Sequence, residues 1–387
     1  MIKAIINANI VLENGILWDG ALITEKDKII SVDKEMNIKI PENAEIIDAQ
    51  GAYVGPGFVD IHVHNGNGFS TSLNACEASK YFLRHGETSI LATPSYGMNF
   101  ETFMQAIKSI KNAMDSGEAK TIKGIYSEGP YTNPEYGSHS DLNPWRKPIN
   151  KDEYKAFVDE AADYVKIWTI APERDGIMDF VKYARKINPN VIFAVGHSEA
   201  TPMQIRALGK YRPKVLTHAM NATGRIGSSA GLRGYGPDEY CFKEQEMYAE
   251  LISDSCGIHV HPEMQQLLLH NKGLEKVILI TDCTHYEDPV PEEYKHIKDL
   301  NFDHNGNLAG SKITMDMACK NIMTHTNCGI AQAFVMASTN PARLLGMDDE
   351  IGSIAAGKVA DLVFVDDKFN IKQVMLQGDL CKFAEAL

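Results

Sequence analysis

Apolar and polar residues alternate over the first fifty positions, and from Gly57 onward the apolar residues gather into short runs separated by helical stretches. Within residues 2–54, Ile2–Ile6, Gly15–Thr24, Ile29–Val32 and Ala44–Asp48 read as strands, with turns at Glu13-Asn14-Gly15 and Asp19-Gly20. They make a sheet too small to stand alone. Further apolar strands follow at Phe58–His62, Thr88–Ala92, Ile122–Tyr126, Val165–Ile170, Val191–Val195, Lys214–Thr217, Tyr248–Ile252 and Val277–Ile280. Helical spacing occupies Ala75–His85, Phe100–Met114, Lys151–Ala161, Gly176–Lys186 and Pro202–Lys210, the last opening on a proline suited to a first turn. Eight strands alternating with helices predict an α/β chain with a (β/α)8 TIM-type barrel. Met315–His325 and Ile330–Met336 read as helices, and a turn follows at Gly352–Lys358. Ala360–Val365 and Ile371–Leu376 then return to strand, placed to complete the N-terminal sheet. The expected organisation is a barrel over 56–345 and a small β-sandwich domain built from both chain ends, 1–55 and 346–387.

Composition narrows the partners. The 387 residues are 44% hydrophobic and 23% charged, as in ordinary globular proteins. A net charge of -13 argues against nucleic acid or an anionic membrane, and any phosphate-bearing substrate would need a local positive site. The 7 cysteines are scattered without a C-x-x-C pair, which fits a reducing cytoplasm rather than a disulfide framework. Met1–Leu12 lacks signal-peptide architecture, and no apolar run approaches the roughly 20 residues that span a bilayer.

The chemistry gathers at the strand ends. In Phe58-Val59-Asp60-Ile61-His62-Val63-His64, strand alternation puts His62 and His64 on one face. Strand 3 runs into Glu128, strand 5 into His197, strand 6 into His218 and strand 8 into Asp282. A single histidine at a strand end is more often structural than a ligand, but in such a barrel all these ends converge on one mouth. Four histidines and two carboxylates form a ligand set suited to zinc or iron(II), one or two ions. Glu128 would bridge, with His62 and His64 on one ion and His197 and His218 on the other. A divalent ion brings the pKa of its water down towards about 7, and a neighbouring Asp282 can take that proton and return it to a leaving group. These parts add up to hydrolysis of an amide-like or ester-like bond.

Further motifs carry a resemblance. They are Gly55-Pro56-Gly57-Phe58-Val59-Asp60, Glu128-Gly129-Pro130-Tyr131, Gly137-Ser138-His139, Gly196-His197-Ser198-Glu199-Ala200-Thr201, Gly257-Ile258-His259-Val260-His261-Pro262, Leu308-Ala309-Gly310-Ser311 and Ala337-Ser338-Thr339-Asn340-Pro341-Ala342. On these the chain resembles the amidohydrolase superfamily, and within it the N-acetylglucosamine-6-phosphate deacetylases, over nearly its whole length. The resemblance implies that Glu128, His197 and His218 hold the principal metal, with His62 and His64 holding a second ion in members that keep H-x-H. It makes Asp282 the general base and then the acid to the departing amine. It assigns His139 to the substrate carbonyl, the backbone at Asn221 and Ala222 to the phosphate, and His259 to the sugar-phosphate end across a homodimer interface.

One region departs from the family. After Asn221-Ala222 the chain reads Thr223-Gly224-Arg225-Ile226-Gly227-Ser228-Ser229-Ala230-Gly231-Leu232-Arg233, and the family's arginine position falls on a serine. Arg225 and Arg233 remain the candidates for that charge. Ser255-Cys256 are additional before Gly257. Both changes lie at the substrate end. The expected substrate is therefore an N-acetylated amino sugar phosphate, first N-acetylglucosamine-6-phosphate, with N-acetylgalactosamine-6-phosphate or an unphosphorylated N-acetyl compound as alternatives. Cys283 is expected to serve packing and His261 to begin a helix. Tyr131, Tyr136 and Trp145 would either shape a sugar pocket or pack a loop.

Overall fold

The computed structural model describes residues 1–224 and 234–383. In chain order the first strands are β1 (Ile2–Leu12), β2 (Gly15–Glu25), β3 (Lys28–Lys34), β4 (Glu45–Asp48) and β5 (Tyr53–Pro56). The barrel strands follow as β6 (Phe58–Val63), β7 (Glu87–Ala92), β8 (Ile122–Ser127), β9 (Val165–Ile170), β10 (Ile192–Val195), β11 (Val215–Leu216), β12 (Tyr248–Ile252) and β13 (Val277–Ile280). The chain ends on β14 (Leu362–Val365), β15 (Ile371–Leu376) and β16 (Asp379–Leu380).

Strands β1–β5 and β14–β16 form one mixed sheet in the order β16-β15-β14-β5-β1-β2-β3, with β4 also on β1. Both chain ends therefore meet in it, through the antiparallel pairing of Val54 with Phe364. Its own apolar cluster includes Ile5, Ile10, Leu22, Val54, Leu362 and Phe364. β1 runs past the expected Ile6, because Asn7 adopts a left-handed φ of 51° and lies in a register shift between Ile5 and Ala8. The asparagine bends the strand without ending it.

The barrel strands pair in parallel with their sequence neighbours from β6 to β13. Closure comes just beyond the strands: the Asp282 amide donates to the His62 carbonyl at 2.9 Å, and the His64 amide to the Cys283 carbonyl at 2.9 Å. The seam thus brings His62 and His64 beside Asp282 through backbone bonds alone.

Helices flank the strands where the spacing predicts them. Over Phe100–Asp115, Phe103, Ala106, Ile107 and Ile110 form the buried stripe, and the Asn99 side chain caps the start. Pro202–Ala207 opens on a Thr201–Gln204 capping box. Among the described residues, Pro237–Lys243 and Asn340–Leu345 lie outside the expected set, and the helix expected to begin at His261 runs over Pro262–Lys272. The helix from Ile330 ends at Phe334, then widens into a π turn at Val335–Thr339 before Asn340–Leu345. Pro341 falls in the first turn of that last helix, where a missing N–H costs little.

Candidate metal centre

Each polar residue at the mouth is delivered by a strand end. His62 and His64 leave β6, Glu128 follows β8, His197 follows β10, His218 follows β11 and Asp282 follows β13. His197, His218 and Asp282 turn through left-handed φ values of 44°, 27° and 46°. Histidine and aspartate visit that region more readily than most side chains, and strained backbone of this kind gathers at functional sites.

The six side chains meet around Glu128. Its Oε1 lies 2.8 Å from His197 Nε2, 3.1 Å from His218 Nε2 and 3.5 Å from His62 Nε2. Its Oε2 lies 3.3 Å from His64 Nε2. Asp282 Oδ1 is 3.2 Å from His64 Nε2 and 3.7 Å from His62 Nε2. Two ligand groups result, His62 with His64 and Asp282, and Glu128 with His197 and His218. Glu128 touches both, as a bridging carboxylate would.

The outer ring nitrogens show that the cluster fits a cation. Nδ1 of His64 donates to the Thr93 carbonyl at 2.9 Å, of His197 to the Tyr136 carbonyl at 3.3 Å and of His218 to the Asn221 carbonyl at 3.3 Å. A carbonyl only accepts, so each Nδ1 carries the hydrogen and a neutral ring turns a bare Nε2 inward. His62 Nδ1 meets Glu250 Oε2 at 3.1 Å. His197 and His218 point Nε2 at each other across 3.0 Å, and the buried His62 Nε2 has no hydrogen-bond partner. Converging lone pairs beside two carboxylates satisfy a divalent ion better than they satisfy one another.

In the metal-free chain, protons take the cation's place. Burial depresses His64, but hydrogen bonds to Asp282 and Glu128 outweigh it and raise the ring to about 9. Burial pushes the Glu128 carboxyl up, yet the His197 charge and hydrogen bond, with hydrogen bonds from His218 and His62, carry it well below its ordinary value. An ion needs the His64 lone pair that a proton holds at neutral pH. Burial depresses His62 as well, but its bonds to Glu128 and Glu250 carry it well above its ordinary value, so binding a divalent ion to metal-free protein near pH 7.5 should release about one to two protons, and affinity should strengthen as pH rises towards 9. Titration in two buffers of different ionisation enthalpy measures that release. Binding with no proton uptake or release would contradict the protonated cluster.

Above the cluster opens a cavity of about 530 Å³, with His64, Glu128, His197, His218 and Asp282 on its walls. Asn221, Ala222 and His259 also line it. His259 is held by Asp254 Oδ2 at 3.0 Å on Nδ1 and by the Gly310 carbonyl at 3.2 Å on Nε2. His139 is different. Its neighbours Gly137, Ser138 and Ser140 line the cavity, but its own ring turns to Asp288 Oδ2 at 3.2 Å and its amide donates to Asp303 Oδ2 at 2.9 Å. Two carboxylates therefore hold His139 off the wall. Arg225 and Arg233 lie outside the described residues. Among the described residues on the wall, none is a lysine or arginine.

The remaining expectations sort into packing. Cys283 is buried among Val63, Ile90 and other apolar residues. His261 caps the helix Pro262–Lys272. Tyr131 and Trp145 are buried in the same apolar cluster as Cys283, and Tyr136 donates to Glu199 at 2.9 Å, so these three rings pack the loop. Sequence reasoning missed Glu250, Asp60, Tyr96 and Tyr286. Asp60 Oδ1 accepts the His62 amide and Oδ2 accepts the Thr281 hydroxyl, while burial raises its carboxyl to about 7. The Tyr96 ring lies 4.7 Å from that of His197, and Tyr286 lies 4.9 Å from His139. The signal for Glu250 was a lone acid inside an apolar strand.

Residues 53–381 match the amidohydrolase family. The chain is 27% identical to an N-acetylglucosamine-6-phosphate deacetylase of Bacillus subtilis, covering 96% of this chain and 95% of that protein. It is 28% identical to an N-acetylgalactosamine-6-phosphate deacetylase of Escherichia coli, covering 89% and 91%. The crystal structure of N-acetylglucosamine-6-phosphate deacetylase from Pasteurella multocida superposes with a TM-score of 0.84 at 25% identity, over 98% of this chain and all of that one.

Proposed function

Because the chain belongs to the amidohydrolase family, we propose that it hydrolyses the N-acetyl group of N-acetylglucosamine-6-phosphate to glucosamine-6-phosphate and acetate. The observation that carries this reading is the cluster of four histidines and two carboxylates, all but His62 on the cavity wall, with Asp282 Oδ1 3.2 Å from His64 Nε2. A relative named for this activity aligns over most of its length, as does a deacetylase named for N-acetylgalactosamine-6-phosphate. His62, His64, Glu128, His197, His218 and Asp282 would hold one or two ions, with zinc or iron(II) suited to imidazole and carboxylate donors. When bound, such an ion supplies Lewis acidity, making a water more acidic and a carbonyl more electrophilic. Asp282 takes a proton from the attacking water at Oδ1. The water oxygen bonds to the acetyl carbon, the C–N bond breaks, and Asp282 returns the proton to the departing nitrogen. Asn221 and Ala222 would meet the phosphate end and His259 the sugar. His139 would reach the acetyl carbonyl only by leaving Asp288. A working division places the barrel at 56–345 and the small sheet at 1–55 with 346–387, in a cytoplasmic homodimer. No helix among the described residues is long and apolar enough to cross a membrane.

A second reading replaces that substrate with N-acetylgalactosamine-6-phosphate or an unphosphorylated N-acetyl compound. It draws support from the lack of lysine or arginine among the described wall residues and from Glu135 on the same wall. Acetate release should be compared across N-acetylglucosamine-6-phosphate, N-acetylgalactosamine-6-phosphate and free N-acetylglucosamine, using protein of counted metal content. Strong preference for the first is expected. Equal turnover of the free sugar would remove the phosphate from the assignment, and inactivity on all three with metal in place would overturn the sugar reading.

A further inference from the structure

Glu250 sits in the middle of β12, in Ala249-Glu250-Leu251-Ile252, and is fully buried. An ionised carboxylate in such a place is costly unless its neighbours offset the charge. Its Oε2 makes two bonds to two different parts of the metal cluster. It meets Nδ1 of His62 at 3.1 Å, and it accepts the backbone amide of His218 at 3.0 Å. The Glu250 carbonyl also accepts the Ala219 amide at 2.9 Å, which pins the turn after His218. Its Oε1 has no hydrogen-bond partner.

His62 belongs to one ligand group and His218 to the other. A single oxygen therefore ties both groups to one strand. The His62 ring is already stacked on Tyr126, with centroids 4.5 Å apart and planes 25° apart, so its plane is set by packing. What Tyr126 leaves undecided is which nitrogen carries the hydrogen. Glu250 decides that, because a carboxylate can only accept, and so His62 Nδ1 donates and Nε2 faces the cluster bare. The other three histidines get the same instruction from backbone carbonyls. Only His62 depends on a side chain, which substitution can remove.

We infer that Glu250 is a positioning residue for the metal centre, fixing the His62 tautomer and holding the His218 turn so that both ion positions are formed together. The inference rests on the metal-centre reading given above. It also explains the buried charge, since a cation beyond His62 would offset the carboxylate through the ring.

Glu250→Leu separates the two ideas. Leucine fits an apolar strand but offers no acceptor, so His62 loses the partner that keeps its hydrogen on Nδ1 and the His218 amide loses its hold. Glutamine is the control: both bonds run to Oε2, so its carbonyl oxygen can take that place and keep them. Metal-stripped protein is titrated with zinc against a chelating dye, and its thermal unfolding is followed without metal. A His64→Asn variant identifies the step belonging to the His62 group. Glu250→Leu is expected to weaken that same step about 10- to 100-fold, by more than any change in the metal-free unfolding midpoint accounts for, while Glu250→Gln holds the ion near wild-type affinity. Glu250→Asp, which keeps the charge but is one methylene too short to bridge, is expected to weaken it too and serves if the leucine variant does not fold. A folded leucine or aspartate variant that holds every ion as tightly as wild type overturns the inference while leaving the metal centre intact. So does a parallel loss of metal-free stability and affinity, which marks a purely structural role. A wild-type chain that binds no ion overturns the metal-centre reading and this inference with it.

Discussion

Asp282→Asn is expected to fold, to bind metal, and to lose about 100- to 10,000-fold in turnover, the range that a positioned general acid–base group supplies. The substitution leaves the backbone undisturbed for two reasons. The residue sits at a left-handed φ of 46°, a region asparagine tolerates as well as aspartate. Its placement comes from main-chain bonds, its amide donating to the His62 carbonyl and its carbonyl accepting the Ser311 amide, each at 2.9 Å. What changes is the side chain. An amide can still present an oxygen towards His64, but it has no lone pair basic enough to take a proton from water near neutral pH. Turnover is measured as acetate release, and metal is counted on the same sample, so that loss of chemistry is read apart from loss of the ion. Near-normal turnover in metal-replete Asp282→Asn would take the proton-transfer role away from this residue.

The fold and half of the centre were written in local patterns. Strand alternation alone pairs His62 with His64, and the apolar runs ending at Glu128, His197, His218 and Asp282 need only the barrel rule to converge. What was not legible depends on contacts between distant strands. Glu250 and His62 are 188 positions apart, and nothing local to either names the other. His139 carried a motif, but its side chain is steered by Asp288 and Asp303, from a different part of the chain. The helix Pro262–Lys272 was legible only at its start, where His261 precedes Pro262, for a local reason. The residues it buries are Gln265, Leu268 and Lys272, which do not form an apolar stripe. Lys272 lies buried there because its ammonium finds the carbonyls of Cys241 and Glu244.

Glu128→Gln should fail in a different way from Asp282→Asn. Among the described residues Glu128 is the one side chain in contact with all four histidines, and both of its oxygens are used. Glutamine keeps the size but removes the charge, and its amide nitrogen must face at least one ring. On the Oε1 side it would meet His197 and His218, whose Nδ1 hydrogens are fixed by the Tyr136 and Asn221 carbonyls. The amide could then donate to a bare Nε2 and occupy the lone pair an ion requires. Both ligand groups lose their shared anion, so bound metal should fall in both. Lewis acidity of a bound ion is worth several kcal/mol in the transition state, so turnover should drop about a thousandfold or more. The signature is the pairing of effects: Asp282→Asn loses rate with metal kept, whereas Glu128→Gln loses rate because metal is lost. The proton released on adding zinc should shrink as well, since Glu128 is one of the two carboxylates that hold the His64 proton. A Glu128→Gln protein carrying the full wild-type metal content and turning over at the wild-type rate would mean that the two groups are held without a bridge.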